Sequence, residues 1–136
     1  MIDYRITADS TLTANQDLVA RFFDRLSAND FETLAGLVSD DWTMTGGPTD
    51  LPPGLDGLRS SLGPEHHTWR IGQILAAGDL VAVRATERYE LEPFFGVPVQ
   101  VRTSTFIMRI ENGRIASTWR DTDDLARRLH DARTYR

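Results

Sequence analysis

Residues 80–91, LVAVRATERYEL, decide how this chain folds. Val81, Val83, Tyr89 and Leu91 recur every second residue. That is the period of a β-strand, whose successive side chains point to opposite faces. Gly78-Asp79 before the stretch is a turn signal, and TWRIGQILAAG (68–78) reads as its hairpin partner. After the connection EPFFGVP (92–98) comes another strand pattern, VQVRTSTFIMRI (99–110). Asn112-Gly113 is a two-residue hairpin signal, and RIASTWRD (114–121) follows it.

The N-terminal half has a different period. TANQDLVARFFDRLSAND (13–30) places Leu18, Val19, Phe22, Phe23 and Leu26 on one helical stripe, with Thr13 and Gln16 as a capping box. In NDFETLAGLVSDDW (29–42), Asp30 can cap a second helix whose Phe31, Leu34, Leu37 and Val38 face inward. WTMT (42–45) is a short strand, GGPTDLPPG (46–54) a loop with the makings of a lid, and LDGLRSSLG (55–63) a third helix. DDLARRLHD (123–131) suggests a short C-terminal helix. Helices first and antiparallel strands afterwards predict an α+β fold. A curved antiparallel sheet wrapped on the N-terminal helices is expected to leave a pocket between the two layers. No linker or internal repeat divides residues 1–136, which read as a single domain.

Composition narrows the function. Fifteen basic against twenty acidic residues give a net charge of −5, which argues against nucleic acid as partner. No apolar run approaches the ~18 residues of a membrane span, and the N-terminus is polar and acidic, so a cytoplasmic protein without membrane contact is expected. There is no cysteine, hence no thiolate chemistry. The adjacent pair His66-His67, with only His130 elsewhere, is a poor metal set and reads as surface. No glycine-rich phosphate loop follows a strand. No cofactor and no metal are expected.

The element order, with AAGDLVAVRAT (76–86), ENGRIASTWRD (111–121) and LVARFFDRLSANDFETLAGLV (18–38), resembles the nuclear transport factor 2-like cone fold and its SnoaL-like polyketide cyclase branch. At the chemical positions the chain resembles the limonene-1,2-epoxide hydrolases. That family's Thr-Glu-Arg-x-Asp and Trp-Arg-Asp stretches match TERYE (86–90) and WRD (119–121) here. The family's strand acid is Asp where this chain has Glu90, and its water-holding Tyr and Asn fall on Trp42 and Met44, which cannot copy that role.

The resemblance implies a catalytic set of Arg88, Glu90 and Asp121. Asp121 would act as base, Glu90 as protonated acid, and Arg88 would bridge the two through its planar fork. Trp42, Met44, Trp119 and Phe106 would contact substrate. Arg88 and Glu90 share a strand face, as do Trp119 and Asp121, by alternation. The competing reading of Arg88 and Glu90 is a surface ion pair. Of Asp121 it is a helix N-cap, and of Trp119 it is core.

With the water-holding pair lost, an epoxide could be opened by water or by an internal hydroxyl that closes a cyclic ether. The alternatives are a SnoaL-like aldol cyclase or isomerase using Asp121 as sole base, and a non-catalytic ligand-binding or dimerisation module. The expected partner is a small apolar epoxide- or polyketide-type molecule. A homodimer through the exposed sheet face is expected as well.

Overall fold

A computed structural model describes residues 4–46, 52–63, 65–90 and 99–123. The order is α1 (Tyr4–Ser27), α2 (Phe31–Leu37), β1 (Val38–Thr45), α3 (Gly54–Leu62), β2 (His67–Ala77), β3 (Leu80–Glu90), β4 (Val99–Glu111) and β5 (Arg114–Thr122). The five strands form one sheet in the order β1-β5-β4-β3-β2. Strands β2 to β5 pair antiparallel, and β1 adds to β5 in parallel. The α+β cone expected from the sequence is the fold. No helix among the described residues is long and apolar enough to cross a membrane.

Local chemistry explains the boundaries. Helix α1 runs through Thr13, so the expected capping box does not start it. No glycine or proline interrupts residues 4–27, and nothing there costs enough to break the helix. It stops at a Schellman motif. Asn29 takes φ +57°, its N–H donates to Leu26 O, and Asp30 N–H donates to Arg25 O. Asp30 then caps α2 as expected, accepting from Thr33 N–H at 3.1 Å and from Thr33 Oγ1 at 2.6 Å. Asn112 and Gly113 both adopt positive φ, the requirement of a two-residue primed turn, and Glu111 pairs with Arg114 across it.

Helix α1 lies on the inner face of the sheet. Val19, Phe22, Phe23 and Leu26 meet Val81, Val83 and Ala85 of β3 and Phe106 and Met108 of β4 in one buried cluster with Leu34, Trp42 and Ile115. Each large apolar side chain removed from water there contributes about 1.5–3 kcal/mol. Two bulges reset the alternation. Gly72 is the extra residue in β2, between the pairs Ile71–Ala85 and Gln73–Arg84. Ala116 is the extra residue in β5, between Ile110–Ile115 and Arg109–Ser117. The expected helix at 123–131 beyond its first residue, Phe94-Phe95, and most of the 46–54 loop lie outside the described residues.

Candidate active site

The inner parity of β3 is set by Val81, Val83 and Ala85, all buried. Two residues further along the same face stands Glu87, a carboxylate with no exposed surface. Burying an isolated carboxylate is prohibitive, so its partners define the site. Three strands supply them. From β2, His67 Nδ1 lies 2.6 Å from Glu87 Oε2. From β4, Arg102 sits directly opposite Glu87 and donates to Oε1 from Nε at 3.2 Å and Nη2 at 2.9 Å. From β5, Arg120 reaches across β4, donating to Ser104 Oγ at 3.2 Å on the way and to Glu87 Oε1 at 3.1 Å.

The aromatic core braces this set. The Arg120 guanidinium lies 5.3 Å from the Trp69 ring and 5.2 Å from the Phe106 ring, at cation–π distance. His67 stacks on Tyr89 with centroids 4.4 Å apart, and Arg102 covers the same Tyr89 ring. Burial pulls the Arg120 pKa down from its ordinary value. Glu87 works against that fall, and the charge of Arg102 adds to it. Arginine nevertheless stays protonated.

Hydrogen-bond counting fixes a proton. His67 Nε2 is 2.6 Å from Leu62 O, and a carbonyl only accepts, so Nε2 carries a hydrogen. Nδ1 and Glu87 Oε2 at 2.6 Å cannot both present lone pairs. One further proton therefore lies between them, on either atom. The pair is an imidazolium–carboxylate or its neutral tautomer, and in both forms its charges sum to zero.

Glu87, Arg102 and Arg120 open on a cavity of about 430 Å³, within the range of small-molecule sites. Its opposite wall comes from the end of β1 and from α3, including Met44, Gly57, Leu58 and Ser61. Gly46 is the tight point. A Cβ there would stand 2.0 Å from Arg120 O, and the residue holds φ +89°, so only glycine fits between β1 and β5.

The residues expected to be catalytic lie elsewhere. Arg88 and Glu90 have the parity opposite to Glu87 and are exposed on the outer face, as is Asp121. Arg88 is opposite Val101 on β4, whereas Asp121 is opposite Thr105, four residues further along that strand. The set expected in one cavity is thus neither convergent nor enclosed. The physical reason is that α1 packs on the valine parity of β3, which turns the Arg88 parity to solvent. Trp119 is 44% exposed on that outer face and does not wall the cavity. Trp42 and Phe106 are core: Trp42 Nε1 donates to Thr118 Oγ1 at 3.0 Å, and Phe106 supports Arg120 from below. Of the four expected substrate contacts, Met44 lines the cavity. His67, read from sequence as surface, is buried. The signal that points to Glu87 is an acid in phase with the apolar stripe Val81-Val83-Ala85. Arg84, in phase with Arg88, pairs outside with Asp123 through two contacts at 3.1 and 2.8 Å. Among the described residues, no group of three His, Cys, Asp or Glu side chains could hold a metal ion.

A family model described as the SnoaL-like domain matches residues 19–118, most of the chain. The chain belongs to this SnoaL-like family. Solved structures agree. IdmH from Streptomyces antibioticus, a proposed polyketide cyclase, superposes with a TM-score of 0.66 at 27% identity, over 82% of this chain and 93% of that one. A SnoaL-like polyketide cyclase from Agrobacterium tumefaciens gives 0.66 at 18%, over 85% and 96%. AclR from Streptomyces galilaeus, a proposed hydroxylase, gives 0.67 at 16%, over 88% and 98%. The last two show the fold alone. No curated protein matches this SnoaL-like chain.

Proposed function

We propose that this SnoaL-like protein is a small-molecule enzyme of the polyketide cyclase or isomerase type, with its chemistry at Glu87, His67, Arg102 and Arg120. The observation that carries the reading is the 2.6 Å contact between His67 Nδ1 and Glu87 Oε2 at the wall of a ligand-sized cavity, beside two guanidinium groups. Aldol-type closure needs a proton taken from carbon next to a carbonyl, an enolate oxygen kept stable, and a proton returned to the new alkoxide. In the imidazolium–carboxylate form, Glu87 Oε2 keeps one lone pair beyond the His67 N–H and serves as base. The C–H electron pair becomes the enolate, whose oxygen lies against the N–H groups of Arg120 and Arg102. The enolate carbon then bonds to the second carbonyl carbon, and the resulting alkoxide takes back the proton from the His67–Glu87 pair.

The base role that the aldol reading gave to Asp121 passes to Glu87. Epoxide opening loses support with the outward position of Arg88, Glu90 and Asp121. A non-catalytic binding module draws support from one feature: Glu87 is already hydrogen-bonded to three basic side chains, a set that also ties four strands together. Exchange of the α-protons of an aromatic β-keto ester in deuterated water, followed by NMR, separates the two. Wild-type exchange that falls about 10²–10⁴-fold in Glu87→Gln fits a base; no exchange above background in the wild type favours the module. The outer sheet face, with Leu75, Ile107 and Trp119 exposed, supports pairing of two copies.

A further inference from the structure

Among the described residues, the charges around the cavity do not balance. Three of the described residues that line it are ionisable: Glu87, Arg102 and Arg120. The Glu87 carboxylate is already matched by the proton it shares with His67, so that pair contributes no net charge. Both guanidinium charges are left over. Glu65, the other acid near His67, sits 3.8 Å from Nε2 on the far side of the imidazole, where it lines a separate small pocket.

Among the described residues, both arginines also have spare donors. Arg120 spends Nε on Ser104 and one N–H of Nη2 on Glu87; Arg102 spends Nε and one N–H of Nη2 on Glu87. Each guanidinium has five N–H groups in a fixed plane. Arg102 is half-exposed at the mouth, and Arg120 is mostly buried deeper in. The rest of the described lining is uncharged, with Met44, Leu58 and Leu62 offering apolar surface.

We infer that the cavity binds its substrate as an anion, an aromatic or otherwise planar apolar body carrying a carboxylate, with Arg102 and Arg120 as the binding groups. A carboxylate matches the guanidinium fork in shape and supplies the missing negative charge. The neutral wall holds the carbon skeleton. This names the substrate class for the cavity assigned above as the active site, and it goes beyond that reading because recognition need not lead to turnover.

The test is calorimetric titration of the intact protein with 2-naphthoate and with 2-naphthamide, which share shape and differ in charge. The expected result is at least tenfold tighter binding of naphthoate at low salt. The preference should shrink toward unity in Arg102→Gln and survive in Arg102→Lys. Arg102 is half-exposed, and circular dichroism with a thermal melt shows whether each variant keeps its fold. Equal affinities, no naphthoate binding at millimolar concentration, or a preference unchanged in a folded Arg102→Gln variant would each overturn the inference. Naphthoate selectivity in a protein that exchanges no α-protons would leave it standing and reject the enzyme reading instead.

Discussion

Glu87 carries the most consequence of any single residue, because removing it strands its partners. Glu87→Ala leaves Arg120 and His67 beside each other under the core without their anion. Breaking a buried ion set in this way costs about 3–5 kcal/mol, which denaturant unfolding would measure. Glu87→Gln keeps the shape and part of the hydrogen bonding, so it should cost less. The shared proton has its own signature. A proton NMR resonance far downfield of the amides should be present in the wild type and lost in Glu87→Gln, since an amide cannot share a proton with Nδ1. Its absence from the wild type at low temperature would contradict a proton shared between Nδ1 and Glu87 Oε2.

Among elements, two junctions can be tested. The cap of α2 rests on Asp30, whose pKa is lowered first by the Thr33 side-chain hydrogen bond and then by the Thr33 backbone hydrogen bond. A carboxylate lowered in the folded state adds stability above its unfolded value of 3.8, and that stability is lost as pH falls through the folded value. Thermal melts should therefore show wild type more stable than Asp30→Asn at neutral pH, with the gap closing below about pH 4. A gap constant from pH 7 to pH 2 would mean that the charged cap does not contribute. The second junction is Gly46 against Arg120 O. Gly46→Ala must push the end of β1 off β5, and it should destabilise by more than about 1 kcal/mol and weaken naphthoate binding together. Wild-type binding in that variant would show that the β1 end does not position Arg120.

At the scale of the whole molecule, the two sheet faces have different work. The inner face packs on α1 and, toward one end of the strands, opens into the cavity. The outer face carries a row that crosses four strands in register: Leu75, Ala82, Ile107 and Trp119. Three of these are large, apolar and 39–69% exposed. A second copy laid on this face would cover them, so light scattering is expected to give a dimer mass. Ile107→Glu should shift it toward monomer without loss of fold. A wild-type monomer at high micromolar concentration would remove the dimer proposal and leave the cavity arguments untouched.

The sequence by itself determined what is local. Helical stripes, the Asp30 cap, the Asn112-Gly113 turn and the alternation of β3 all act within a few residues, so most elements and the α+β class were legible, and the family resemblance implied the cone. Alternation, however, has two faces and does not say which one is inside. Val81 and Val83 share a parity with Glu87, while Arg88 and Glu90 take the other, and only the packing of α1 against the valines decides between them. The bulges at Gly72 and Ala116 break the period, so no count carried through β2 or β5 keeps its phase. His67, Glu87, Arg102 and Arg120 come from four separate strands. Their meeting depends on the strand order β5-β4-β3-β2 and on the cross-strand register, which are long-range pairings that no short stretch encodes. The buried environment that turns these four ordinary surface-type residues into a site exists only once the sheet has closed over the helix.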